Sequence, residues 1–358
     1  MTNRERIYRL VRGKPIDRVP FAQYRNAAAP DEEIWSVIGR ANMGIIPWCP
    51  VHKLTFSRCT FGEETFERNG RQGLRYFVHT PEGTMVEERL VEPAYGSSRA
   101  VKHYVAEVAD YRILLAYLRD ITVVRNPEDP LAKCLRELGD DGAPMVSLLR
   151  TPYQQLWVQW VCLEDLCLHL VDEPGLTEEV VAELARVLRD VMKVAVEVAA
   201  ESDVPYFNFP DNITAPVIGE KYFRKYCLPY YVEMAGMLAE RGLDVPIAVH
   251  MDGHLKPLWK AISESPVRVI DSLSPPPDND TSVADALRLR GDVRLGVNFP
   301  SSVHLASPET IYGKAMEMLQ QGGRTGRLMI QVSENVPKDV WRTSYPQIVK
   351  AIGDFGEL

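Results

Sequence analysis

The sequence predicts an α/β chain closed into a (β/α)8 TIM barrel, and three observations carry that prediction. Eight short apolar runs rich in β-branched residues recur along the 358 residues. Helical patterns separate most of them, and the runs end in polar side chains. Continuous apolar runs without alternation are expected of strands covered on both faces, which is how a parallel barrel buries its sheet.

The runs are RVPFAQ (18–23), GIIPWCP (44–50), APMVSLL (143–149), VPYFNFP (204–210), VPIAVHM (245–251), VRVIDSL (267–273), VRLGVNFP (293–300) and RLMIQVS (327–333). Between them, TEEVVAELARVLRDVMKVAVEVAAES (177–202) reads as a helix with Thr177 as N-cap and glutamates in its first turn. The stretch 220–242 reads as a second helix, with Gly242 at its C-terminus and Pro229 kinking or dividing it. Residues 307–323 read as a third. An open doubly wound sheet would call for a Gly-rich phosphate loop after the first strand, and FAQYRNAAAP is not one. The chain is therefore expected to be one domain, 1–358, with an insertion after the second strand at about 62–95. There RYFVHTPEGTMVEERLV alternates around Pro-Glu-Gly as a β-hairpin does.

Composition narrows the function. Apolar residues make up 46% and charged residues 25%, which suits a packed globular core. A net charge of −8 argues against nucleic-acid binding, which needs a basic face. The opening MTNRERIYRLVRGK has no apolar core of a signal peptide. No run of about 18 apolar residues predicts a membrane span. The six cysteines form no CxxC pair, so a cytoplasmic protein with reduced thiols is expected.

A barrel of this kind carries its site at the C-terminal ends of the strands. Those ends supply Gln23 and Arg25, His52, Arg150, Asp211 and Asn212, His250 and Asp252, Ser274, Asn298, and Glu334 with Asn335. His250, Asp252 and Glu334 are one imidazole and two carboxylates, a set able to hold a divalent ion with open positions. The competing structural role is that Asp252 caps the helix HLKPLWKAI. Asp211 in FPDNIT suits a general acid or base, or equally an Asx-turn. Arg25 and Arg150 could grip substrate carboxylates or form ion pairs, while His52, Asn212 and Asn298 are candidate substrate contacts.

NRERIYRLVRGKPIDRVPF, TPEGTMVEERL, FPDNITAPVIGEKYFRKYCLPYY and HMDGHLKPL together resemble the uroporphyrinogen decarboxylase superfamily. The resemblance spans the chain and implies a barrel enzyme: either a porphyrin-pathway decarboxylase or a cobalamin-dependent methyltransferase. The decarboxylases carry RQAGRY after the first strand and an aspartate in a segment like FSDI after the second. Here those places read AQYRNAAAPDE, with Arg25 its one arginine, and WCPVHKL. The methyltransferases bind zinc through His-x-Cys-Gly after the fifth strand and a cysteine after the eighth. Here His250-Met251-Asp252-Gly253 and Ser333-Glu334-Asn335 stand in those places, both cysteines being replaced. The resemblance thus implies a corrinoid-linked methyltransferase acting on a non-thiol, for example methoxylated, substrate, since a carboxylate-rich site suits oxygen better than sulfur. It also implies zinc or another divalent metal on His250, Asp252 and Glu334; His250 and Asp252, with Asp211 from its place after the fourth strand, are the expected catalytic residues. Methylcobalamin or a related corrinoid on a partner protein is the expected co-substrate, and a homodimer is implied. The competing readings are a carboxy-lyase for a tetrapyrrole or smaller carboxylated substrate, and a barrel that binds a corrinoid without turnover.

Overall fold

The computed structural model describes residues 1–93, 97–334 and 336–358. The last two positions of the expected hairpin insertion, 94 and 95, and Asn335 lie outside the described residues. The chain divides into two compact units: residues 1–51, 127–148 and 196–358, and residues 52–126 and 149–195.

The first unit holds the whole barrel. Its eight strands, in chain order, are Phe21–Tyr24, the pair Gly44–Ile46 and Trp48–Cys49, Met145–Ser147, Phe207–Phe209, Ile247–His250, Val269–Leu273, Arg294–Asn298 and Leu328–Val332. Every one coincides with an apolar run read from the sequence, the first passing the end of its run by one residue, Tyr24. All neighbours pair in parallel. Pro47 splits the second strand, because proline lacks the N–H a ladder needs. One half then pairs with the first strand and the other with the third, which closes the ring.

Side chains alternate along each strand, so every second residue enters the barrel. At the lower end these inward residues are apolar: Ala22, Met145, Tyr206, Ala248, Val269 and Met329. The N-terminal helix Asn3–Val11 plugs that end with Ile7, Leu10 and Val11. Thr2 caps the helix in a reciprocal pair with Glu5, satisfying two otherwise orphaned N–H groups.

Helices follow the strands largely as expected. Pro229 divides the stretch after the fourth strand into Ala215–Tyr226 and Leu228–Glu240. Gly242 ends the second of these at φ +66°, its N–H bonded back to the carbonyl of Ala239. One expectation is corrected. The long helix is Pro174–Glu201, so Thr177 lies inside its first turn rather than at the N-cap. Its hydroxyl donates to the carbonyls of Glu173 and Pro174, because Pro174 can start the helix without an N–H and takes the boundary three residues upstream.

In the second unit the insertion is larger than a hairpin. Strands Thr60–Arg68, Arg71–Thr80, Gly83–Glu92 and Ser97–Lys102 form an antiparallel sheet. Its middle turn falls at Pro81-Glu82, as the sequence predicts. Asp120 anchors the entry to this sheet, accepting from the backbone N–H of Ser57, Arg58 and Cys59 and from the Ser57 hydroxyl. Among the described residues no helix is long and apolar enough to cross a membrane.

Candidate active site

Two residues above the apolar layer, the same strands turn polar in phase. Ala22 is followed by Tyr24, Tyr206 by Asn208, Ala248 by His250, Val269 by Asp271 and Met329 by Gln331. All five are buried, and the other four converge on the carboxylate of Asp271. Asp271 Oδ2 accepts from the Tyr24 hydroxyl at 2.5 Å and from Asn208 Nδ2 at 3.0 Å. Asp271 Oδ1 accepts from Gln331 Nε2 at 3.0 Å. Gln331 has room because Gly296 lies beside it: a Cβ there would stand 2.4 Å from Gln331 Oε1.

The sixth strand bulges at this point. Its register with the seventh slips between Ile270 and Leu273, and Ser272 sits at φ +62°. That conformation is costly for a residue with a Cβ and persists only where its surroundings fix it. Here it lets Ser272 follow Asp271 into the cluster, its Oγ 3.3 Å from the Tyr24 hydroxyl and 3.0 Å from Gln331 Nε2.

His250 connects this floor to the strand ends. Its Nδ1 lies 3.3 Å from Asp271 Oδ2, and its Nε2 lies 3.6 Å from Asp252 Oδ2. Burial opposes a charge on the ring, but hydrogen bonding to Asp252 and Asp271 outweighs it and raises His250 to about 10. Burial likewise works against the Asp271 carboxylate, yet His250, Tyr24 and Gln331 hold it below its ordinary value. The pair is thus an imidazolium between two carboxylates. Glu334 is raised, first by burial and then by the negative charge of Asp252, although Ser301 donates to it at 2.9 Å.

Asp252 does not cap the following helical turn. Asp280 does so, taking the N–H groups of Leu255 and Lys256. Asn279 instead holds the Asp252 carbonyl at 2.6 Å, and Asn212, itself at φ +57°, places Nδ2 3.4 Å from Asp252 Oδ2. Gly253 is required for space: a Cβ there would stand 2.1 Å from Thr214 Cβ.

His250, Asp252, Glu334 and Asn212 are therefore brought together. Within the barrel unit, other sequence candidates are not. Arg25 falls out of phase with Tyr24, on the outer side of the first strand, and pairs with Glu137 at 3.4 Å. Gln23 is outward too, bonded to Asp31 and Tyr345. Asp211 is sealed from solvent, with Tyr231 donating to it at 2.5 Å. Asn298 accepts the N–H and hydroxyl of Ser333 at 3.0 and 3.2 Å, so it secures the eighth strand end. His52 and Arg150 belong to the second unit. There burial lowers His52 to about 4.

The expected metal set does not fit an ion as arranged. Among the described residues no three His, Cys, Asp or Glu side chains are grouped to hold one. Both ring nitrogens of His250 face carboxylates, which favours the protonated ring over the neutral one a metal needs. The sequence reading missed Tyr24, Asn208, Asp271, Ser272 and Gln331. Three of these, Asn208, Asp271 and Gln331, are polar residues inside apolar runs, two positions beyond an inward apolar residue, and that phase was the available signal.

No curated protein matches the chain in sequence. Among solved structures, a methyltransferase from Methanosarcina mazei superposes with a TM-score of 0.57 at 12% identity, covering 99% of each chain, which shows the same fold. A B12-independent methionine synthase from Shewanella sp. W3-18-1, in complex with selenomethionine, gives a TM-score of 0.42 at 13% identity, over 85% of this chain and 76% of that one. The uroporphyrinogen decarboxylase (URO-D) family model matches residues 135–344, more than half of the chain and six of its barrel strands, the third to the eighth, in full. On that match, the chain belongs to the uroporphyrinogen decarboxylase family.

Proposed function

We propose that the chain is a methyltransferase that takes a methyl group from an oxygen-linked donor, such as a methoxylated compound, and passes it to a corrinoid carried by a partner protein. One observation carries this reading. A carboxyl group raised by burial, Glu334, faces the Asp271–His250–Asp252 line of fixed charge. Carboxyl groups set apart in this way divide into an acid and a charge stabiliser.

Glu334 is the proton donor. As the methyl–oxygen bond breaks, the leaving oxygen gains negative charge, and a proton from Glu334 neutralises it. His250, held protonated by its two carboxylates, supplies a fixed positive charge beside that oxygen, and Asp271 keeps the ring oriented. Asn212 and Asn279 hold Asp252 in place. The corrinoid would supply the nucleophile that accepts the methyl group. No thiol takes part in the cluster, in keeping with an oxygen rather than a sulfur substrate.

The test supplies reduced free cobalamin and methoxybenzoates to the purified protein and follows methylcobalamin by absorbance. Methyl transfer should occur and fall by ~10²–10⁴-fold in Glu334→Gln. Unchanged transfer in that variant would remove Glu334 as the acid. Carbon dioxide release from a carboxylated tetrapyrrole, with no methyl transfer, would establish the carboxy-lyase reading instead.

A further inference from the structure

The split second strand resumes after Pro47 with a tryptophan that its neighbours leave open. Trp48 is 41% exposed, whereas Cys49 beside it is buried. Trp48 stands two positions beyond Ile46, a residue of the apolar floor, and pairs in register with Met145, another of that floor. Both relations place its indole on the inner side of the barrel wall. The indole meets the ring of Tyr24 edge to face, with centroids 5.3 Å apart and planes at 79°. Tyr24 donates to Asp271, and its hydroxyl lies 3.4 Å from Nδ1 of His250. One tyrosine thus stands between the open indole and the imidazolium. All these residues belong to the unit that holds the barrel.

We propose that Trp48 determines specificity, as the platform on which the ring of a methyl aryl ether stacks with its ether oxygen toward His250. The proposal rests on the methyl-transfer reading above and names the substrate class within it. An open indole is apolar surface that a flat apolar partner covers with gain. Tyr24 steadies the platform from its edge, and Tyr24 cannot turn away because its hydroxyl is tied to Asp271. An aliphatic methyl ether has no ring face to offer this surface.

The leaving group points the same way. The methyl group passes to the corrinoid nucleophile, the bonding pair of the methyl–oxygen bond stays on the oxygen, and the proton of Glu334 completes the product alcohol. From an aryl ether that oxygen is a phenolate, whose conjugate acid titrates at about 10, as tyrosine does. From an alkyl ether it is an alkoxide, which is far more basic and leaves far less readily. One carboxylic acid and one fixed cation match the weaker demand of the phenolate.

The experiment measures binding by calorimetry on the full chain, with no turnover, using 4-methoxybenzoate and methoxyacetate. Each probe carries one methyl ether and one carboxylate, and only the first carries a ring. The native protein should bind 4-methoxybenzoate the more tightly. Trp48→Leu should weaken that binding by roughly 3- to 10-fold, the contribution of one aromatic pair, and leave methoxyacetate as it was. Trp48→Phe, which keeps a ring, should restore most of the loss. No binding of 4-methoxybenzoate to the native protein would overturn the proposal, as would unchanged binding in Trp48→Leu. Equal weakening of both probes would overturn it too, because it would mark a merely structural role. Binding that depends on Trp48 without methyl transfer to free cobalamin would remove the transfer reading and leave the platform standing. Transfer with aryl binding that ignores Trp48 would do the reverse.

Discussion

Asp271 Oδ2 lies 3.3 Å from Nδ1 of His250, while Asp252 meets the opposite ring nitrogen at 3.6 Å. The two contacts do different work. Asp271 is sealed beneath the ring and tied by Tyr24, Asn208 and Gln331, so it cannot move away from the imidazole. Asp252 lies on the more open side, its side chain a quarter exposed. A fixed charge below and a less confined one above make His250 a positioned cation rather than a free base.

Asp271→Asn tests that relationship directly. It keeps the shape and removes the charge, so His250 should titrate below its present value of about 10. Proton NMR of the ring hydrogens would follow the change, and methyl transfer should fall by ~10²-fold or more if the cation stabilises the leaving oxygen. A histidine titration indistinguishable from that of the native protein would disprove the coupling.

The same coupling predicts a pH dependence of stability with a definite sign. His250 is raised from an ordinary value near 6.5 to about 10 in the fold. Between those limits the folded protein holds a proton that the unfolded chain has lost, so stability falls as pH rises. The contribution is complete below about 6.5 and is lost as pH rises through about 10. Urea unfolding across this range should show a steeper decline for the native protein than for His250→Gln. Equal slopes would count against the ion pair.

How far the sequence reveals this site follows from what each residue is asked to do. The strands announce themselves, because burial on both faces demands continuous apolar runs, and all eight are legible. His250, Asp252 and Glu334 are legible as well, since polar residues closing an apolar run stand out. Asp271 and Gln331 are hidden inside runs, where their partners are far along the chain: Tyr24 is 247 residues from Asp271, and Gln331 is 60. Arg25 misleads because one position along a strand reverses a side chain's direction, and only the fold shows that Tyr24 holds the inward phase. The bulge at Ser272 leaves no mark in sequence, since serine is not a residue chosen for positive φ.

Two glycines should respond oppositely to alanine. Gly253 cannot accept a Cβ, which would stand 2.1 Å from Thr214 Cβ, so Gly253→Ala forces backbone apart at the edge of the site and should cost ~1–3 kcal/mol. Gly236 lies on the exposed side of the helix Leu228–Glu240, where a Cβ meets nothing within 4 Å. Gly236→Ala should add ~0.4–1 kcal/mol by restricting the unfolded chain and favouring helix. Chemical denaturation of both variants checks the pair, and a stable Gly253→Ala would show that Thr214 yields more easily than its backbone position suggests.

Tyr231→Phe separates structure from chemistry at Asp211. The hydroxyl donates to the buried carboxylate at 2.5 Å, within the aromatic packing of Phe209 and Phe223. Removing it takes a donor from a carboxylate that solvent cannot reach, so stability should drop by ~1.5–3 kcal/mol, the range for hydrogen bonds to charged groups. The ring stays, so packing changes little. If Asp211 only braces the loop after the fourth strand, methyl transfer measured well below the unfolding temperature should be nearly unchanged. If Asp211 handles a proton in the reaction, the loss of its partner should instead shift the pH–rate profile while the loss of stability stays the same.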